Sequence, residues 1–295
     1  MKITLLGTGV PKPQLHRASS GYMVEVGDDV ILFDQGPGTY HRMMEAGKRA
    51  VDITHVFFSH LHYDHCLDYA RLLLTHWDQG AGKVPELKVY GPPHTKRMTQ
   101  ALIGKNGAFG PDLEARTRHQ GSIDVYESRG GTGVRKKPRP KVSEIRSGQT
   151  IAGDGWTVTA RSVPHVQPYL ISYGFRMETP EGVFAYSGDC GPCTAMVKLA
   201  QNADVLVYMC PYYSGTERSK AYAKGAAGHL EIARMAKEAK AKSLVVTHVL
   251  PQIDKPGMRE KVLREIGAIY KGNLYYGEDL MEIPIGDPVS KSQEK

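Results

Sequence analysis

Six consecutive residues, His60-Leu61-His62-Tyr63-Asp64-His65, carry three imidazoles and a carboxylate. They follow the β-branched and aromatic run Ile53–Phe58, which reads as a strand. Inside a packed core those groups would crowd one another at high cost. Divalent metal ions remove that cost, because neutral imidazole and carboxylate are good ligands for zinc and related ions. The hexapeptide therefore demands a rigid strand end, open to substrate, that faces other strand ends able to complete the coordination shells.

The rest of the chain supplies such ends. His165 follows Ser162-Val163-Pro164, Asp189 follows Tyr186-Ser187-Gly188, and His248 follows Val245-Val246-Thr247. Taken singly, each has an ordinary reading as a turn aspartate or a histidine satisfied by backbone groups. Four strand ends that offer ligand types together point to one site. The candidate metal ligands are His60, His62, Asp64, His65, His165, Asp189 and His248.

A chain of 295 residues with 41% hydrophobic content can build one substantial core. Short apolar runs at Ile3–Leu6, Gly21–Val26 and Val30–Phe33 predict hairpins, and Thr39–Gly47 looks helical. A helix is expected over Leu67–Trp77, with Leu72, Leu73 and Leu74 in the core, before a strand at Val89-Tyr90. Strands return at Trp156–Val163, Ile171–Met177, Val183–Ser187, Val205–Val207 and Leu244–Thr247. Helices are expected over Pro192–Asn202, Gly228–Lys240 and Met258–Ile269. Strands followed by helices in both halves suggest an α/β fold of two sheets packed face to face, with helices outside. We expect a single domain over 1–285, an irregular basic insertion at about 104–147, and a frayed tail over 286–295.

His-x-His-x-Asp-His, an isolated His, a Ser-Gly-Asp turn and a late Thr-His together resemble the metallo-β-lactamase superfamily. The opening Leu5-Leu6-Gly7-Thr8-Gly9, and the passage from Gly228-His229-Leu230-Glu231 to Thr247-His248, resemble its ribonuclease Z branch. Type III aryl sulfatases and some cyclic-nucleotide phosphodiesterases are similar to that branch. The resemblance spans about residues 1–285 and implies a four-layer αββα sandwich with the site at one edge. By that likeness, His60, His62 and His165 hold one metal, Asp64, His65 and His248 the other, and Asp189 bridges. It also implies that Asp34 supports the metal loop from behind, and that His229 contacts the scissile group and helps the leaving group depart. Asp64 and His229 are thus the catalytic candidates. The implied cofactors are two divalent ions, zinc first, with manganese or iron as alternatives. The implied enzyme is a dinuclear hydrolase that uses a metal-bound hydroxide on a phosphodiester or related anionic ester.

Departures from the branch narrow the substrate. Ribonuclease Z carries a long Gly/Pro-rich arm between the isolated His and the bridging Asp, whereas here only Val166–Gly188 intervenes. Val207-Tyr208-Met209-Cys210 stands where a His-Glu pair is usual, and Tyr63 is bulkier than the customary residue. These features disfavour tRNA and suggest a smaller substrate. A formal charge of +7 weakly favours an anionic one. The alternatives are a small-molecule hydrolase of a lactone, carboxylic ester, amide or sulfate ester, and a non-catalytic metal- or nucleic-acid-binding module.

The basic stretch Arg129–Lys141 reads first as a solvated loop, with an anion-binding role as the alternative. Cys190-Gly-Pro-Cys193 has redox spacing, although packing beside the metal turn is the stronger reading. Cys66 is expected to be a small buried residue. Tyr169, Tyr212 and Tyr213 are candidates for lining a pocket. Four cysteines make no disulfide framework, and no signal-peptide pattern or membrane-length apolar run is visible. A soluble, cytoplasmic protein is expected, and analogy with the branch suggests a homodimer.

Overall fold

The structure is a computed structural model and describes residues 1–285; the expected frayed tail lies outside the described residues. The first sheet sets β1 (Lys2–Gly7), β2 (Gly21–Val26), β3 (Asp29–Phe33), β4 (His55–Phe57), β5 (Lys88–Gly91) and β6 (Lys141–Glu144) side by side in chain order. The second does the same with β7 (Thr150–Gly153), β8 (Trp156–Val163), β9 (Ser172–Thr179), β10 (Gly182–Tyr186), β11 (Val205–Met209), β12 (Ser243–Thr247) and β13 (Asn273–Tyr276). A last strand, β14 (Glu282–Ile283), returns to pair antiparallel with β1. The first half also carries α1 (Thr39–Glu45), α2 (Tyr63–Cys66), α3 (Tyr69–Gly80), α4 (Thr95–Ile103), α5 (Gly110–Arg118) and α6 (Gln120–Ser128). The second half carries α7 (Thr194–Leu199), α8 (Lys220–Gly225), α9 (His229–Glu238) and α10 (Met258–Ile269).

Side-chain alternation explains the layering. In a strand, successive residues face opposite sides, and here both sides are buried. Ile31 and Phe33 of β3, with Val205 and Val207 of β11, point into a core between the sheets. Their neighbours Val30 and Leu32 face outward onto α1 and α3, and Leu206 and Tyr208 face α7, α9 and α10. Three cores thus separate four layers, helix–sheet–sheet–helix, as expected. Along α3, Leu72 and Leu73 are buried and Leu74 is only half-buried, as the helical period rotates it off the core face.

The expectation of irregular chain from residue 104 onward needs correction, since α5 and α6 occupy much of it. Pro111 lies in the first turn of α5, where a missing N–H costs nothing. The Gly- and Arg-rich composition concealed these helices. Arg116, Arg129 and Arg135 converge on Asp78 of α3 and tie the segment down. No helix among the described residues is long and apolar enough to cross a membrane.

Candidate metal centre

Sheet polarity brings the candidate ligands to one edge. β3 runs parallel to β4, so Asp34 and the Ser59-His60 turn emerge side by side. β10, β11 and β12 are mutually parallel, and Asp189 and His248 follow the ends of the first and third. β8 and β10 both pair antiparallel with β9, so β8 points the same way and delivers His165 to that edge. The single turn of α2 carries Asp64 and His65, with His62 just before it.

The seven side chains form two groups, His60 with His62, His165 and Asp189, and Asp64 with His65 and His248; within each, the ligand atoms lie within 4.8 Å of one another. Asp189 reaches both. Its Oδ1 lies 3.4 Å from His65 Nε2, and its Oδ2 lies 3.4 Å from His248 Nε2 and 3.7 Å from His165 Nε2. Asp64 Oδ2 lies 3.3 Å from His248 Nε2 and 3.5 Å from His65 Nε2.

Proton bookkeeping around Asp34 shows which nitrogens are bare. The buried Asp34 carboxylate accepts from the Ser59 N–H, the Ser59 hydroxyl, the Tyr186 hydroxyl and His65 Nδ1, each at 2.7 Å. His65 therefore keeps its proton on Nδ1, and its Nε2 lone pair faces the site. Ser59 has spent its one proton on Asp34, so its oxygen accepts from His60 Nδ1–H at 3.0 Å, and His60 Nε2 is bare. His165 Nδ1–H donates to the Gly225 carbonyl at 2.7 Å, which leaves its Nε2 bare as well. The bare His60 and His165 nitrogens lie 3.0 and 3.4 Å from His62 Nδ1.

A single proton on His62 Nδ1 can fully serve only one of these two lone pairs, whereas a cation among the three nitrogens serves them all. His65 Nε2 and Asp189 Oδ1 are, moreover, buried with no hydrogen-bond partner among the described residues. Burial, helped by the His65 imidazole, holds His60 well below the ordinary histidine value. Burial also lowers His65, but the Asp189 and Asp34 carboxylates more than reverse this and push it well above: they draw a proton to Nε2, the place a cation would take. For Asp189, burial raises the pKa, and the His248 and His65 imidazoles outweigh it, so the carboxyl stays ionised. The site is short of positive charge and rich in bare nitrogen and carboxylate donors. That donor set fits divalent ions.

The backbone carries strain at the same places. Asp34 has φ 62° and His248 φ 54°, in the left-handed region that costs a non-glycine residue of order 1 kcal/mol or more. Gly36 lets the metal loop close in, since a Cβ there would sit 2.0 Å from the Asp64 carbonyl. At Gly225 a Cβ would lie 2.3 Å from the His165 carbonyl.

His229 is the exception among the sequence candidates. Its ring is fully buried, stacks on Tyr213 at 4.3 Å, and spends both nitrogens elsewhere. Nδ1 accepts from the Ser214 N–H at 3.0 Å, so the proton sits on Nε2 and points into the Glu265 carboxylate at 2.8 Å. Among the described residues its hydrogen bonds go to these partners and not to the seven. The Nε2–H, the group expected to meet a leaving group, is engaged by Glu265.

Residues missed from the sequence include Ser59, Tyr186 and Gly225, which orient the ligands, and Glu265, which holds His229. Ser59 and Tyr186 flank the motifs and were within reach of inspection. Glu265 lies 36 positions from His229 and left no local signal. Cys66 stays outside both groups, its thiol donating to the His62 carbonyl at 3.2 Å, and burial pushes its pKa up to about 12. Cys190 and Cys193 are free thiols with sulfurs 3.8 Å apart. Tyr63 and Tyr169 are exposed. Three of the six basic side chains of Arg129–Lys141 are engaged structurally: Arg129 and Arg135 bind Asp78, Lys137 binds Glu114, and Arg135 lies over the Trp77 ring at 4.4 Å.

Residues 29–249 match the family described as the beta-lactamase superfamily domain. The chain belongs to that superfamily. It is a metal-dependent hydrolase, and its relatives include a Ribonuclease Z of Mycobacterium sp. (strain KMS), 28% identical over 97% of this chain and 96% of that one. Among solved structures it is similar to the metallo-beta-lactamase fold protein YhfI from Bacillus subtilis, with TM-score 0.74 and 21% identity over 96% of this chain and 98% of that one. It is also similar to the short form of human tRNase Z, with TM-score 0.68 and 23% identity over 97% and 100% of the two chains. The beta-lactamase superfamily assignment agrees with the resemblance carried by the histidine motif and with the two-sheet architecture.

Proposed function

We propose that this superfamily member is a dinuclear hydrolase of a phosphodiester or a related anionic ester. The observation that carries this reading is the Asp189 carboxylate, which lies between the two ligand groups: Oδ1 is beside His65, and Oδ2 stands between His248 of the same group and His165 of the other. His60, His62 and His165 would hold one ion and Asp64, His65 and His248 the other, with Asp189 within reach of both. Bound there, divalent ions supply Lewis acidity and a nucleophile that is deprotonated near neutral pH. Asp34 and the Gly225 carbonyl hold the imidazoles with bare nitrogens inward. Asp64 stays ionised and so is ready to hold a cation: burial raises its pKa, but the hydrogen bond from His248 and the His65 imidazole more than offset this and lower it. Zinc suits the histidine-rich set best, with manganese and iron as the alternatives.

The net charge of +7 and the Ribonuclease Z relatives support an anionic ester. Residues 164–188 are used up by a short loop and the β9–β10 hairpin, which argues for a substrate smaller than tRNA. A leaving-group role for His229 requires its Nε2–H to exchange Glu265 for substrate. Four free cysteines suit a reducing cytoplasm.

The test is a panel of bis-p-nitrophenyl phosphate, p-nitrophenyl sulfate, an aryl acetate and a lactone, assayed with the metal-replete protein. Diester turnover that Asp189→Ala abolishes supports the reading. Turnover confined to the sulfate, acetate or lactone assigns the small-molecule alternative. Efficient cleavage of precursor tRNA contradicts the argument from the missing arm.

A further inference from the structure

Of the three parallel strands at the ligand-bearing edge, β10 and β12 lead to Asp189 and His248. The strand between them, β11, leads to Cys210-Pro211-Tyr212-Tyr213 and contributes none of the seven ligands. Neighbouring strands lie about 4.8 Å apart, so the segment after β11 adjoins the metal centre. A cavity of about 390 Å³ opens there, walled by Pro211, Tyr212, Arg218, Tyr222, Leu250 and Met258.

Two walls are also tied to the ligands. Leu250 stands two residues after His248. Tyr222 lies in α8, whose last residue, Gly225, holds His165. The Tyr222 phenol is raised by burial, lowered by Arg218 and raised by Asp189, so both charges are within electrostatic reach of the ring. The Tyr212 hydroxyl donates to the Ala226 carbonyl at 3.1 Å, which pins that ring, and the two tyrosine rings meet at 5.5 Å. The Arg218 guanidinium lies over Tyr222 at 5.9 Å. The result is an apolar, aromatic recess with one cation at its mouth, in the lower part of the size range of small-ligand pockets.

We propose that this recess is the subsite for a flat aromatic ring on the retained, non-leaving side of the ester, with Arg218 attracting the ester's negative charge. The proposal rests on the anionic-ester reading above. It names the shared chemistry of aryl and nucleoside esters. Tyr222 and Tyr212 offer ring faces for stacking, Leu250 and Met258 close the recess with apolar surface, and the scissile bond falls toward Asp189.

Three diesters with a common p-nitrophenolate leaving group test it: methyl p-nitrophenyl phosphate, bis-p-nitrophenyl phosphate and thymidine 5′-p-nitrophenyl phosphate. The expected result is a kcat/KM at least about ten-fold higher for one or both diesters whose retained group carries a ring than for the methyl diester, equivalent to about 1.4 kcal/mol. The larger preference identifies the source of the ring. Tyr222→Ala, and separately Met258→Trp, which fills the recess, should each reduce that preference by about ten-fold. A turnover-independent arm titrates the protein with diphenylphosphinate and dimethylphosphinate by calorimetry. Wild type should bind the diphenyl anion at least ten-fold tighter, and both variants should lose the difference. Equal turnover of all three diesters, unchanged by either variant, overturns the subsite and leaves the hydrolase reading standing. Selective diphenylphosphinate binding without any diester turnover supports the subsite and overturns the phosphodiester reading.

Discussion

Asp34 accepts four hydrogen bonds and belongs to neither ligand group, yet its removal should be felt at the metals through the imidazole it orients. Asp34→Asn can present an N–H to His65 Nδ1, which favours the wrong tautomer and turns the imidazole lone pair away from the site. We expect metal affinity to fall by about 10–100-fold, measured by competition with a chromogenic chelator. A second residue-scale prediction concerns His55, buried between Asp29 and the Trp156 ring. Burial lowers its pKa from 6.5 to about 4, and the Asp29 carboxylate only partly opposes this. The unfolded chain then binds a proton near pH 6.5 that the folded chain refuses until about pH 4. The neutral imidazole contributes its full stability above pH 6.5, and the contribution is lost as pH falls from there toward 4. Denaturant titrations of wild type and His55→Asn should show an additional loss of about 1–3 kcal/mol in wild type across that window.

At the scale of elements, the central core depends on strands buried on both faces. Phe33 of β3 packs its ring 5.3–5.5 Å from Phe57, Phe175 and Phe184, which come from both sheets. Phe33→Ala should cost about 3–5 kcal/mol in equilibrium unfolding. Elements of this kind were legible in the sequence because an apolar run leaves a local pattern: β8, β2 and α10 match their expected bounds. The metal loop was legible for the same reason, with four ligand types within one hexapeptide. Three further ligands could be guessed because each follows a strand-like run. Other features had no local signature. Nothing in the Gly- and Arg-rich stretch announces that Asp78 will gather three arginines and order α5 and α6. The engagement of His229 by Glu265 depends on how α9 packs against α10, a tertiary fact invisible to periodicity. The recess after β11 likewise arises from three separate segments.

For the whole molecule, the two sheets present their strand ends at one rim, and ions held there join both halves of the sandwich. His60, His62, Asp64 and His65 come from the first half, and His165, Asp189 and His248 from the second. Metal binding should therefore stabilise the entire fold. With each ion at about 1,000 times its dissociation constant the gain is about 4 kcal/mol per ion and about 8 kcal/mol for the pair, so chelation should lower Tm by about 13 °C in a chain of this size. The most direct test counts the ions. Native mass spectrometry on protein purified without chelator should find two divalent ions per chain, and fewer than two in Asp189→Ala at the same free-metal concentration. A wild-type chain that binds none, or saturates at one under metal-replete conditions, contradicts the account.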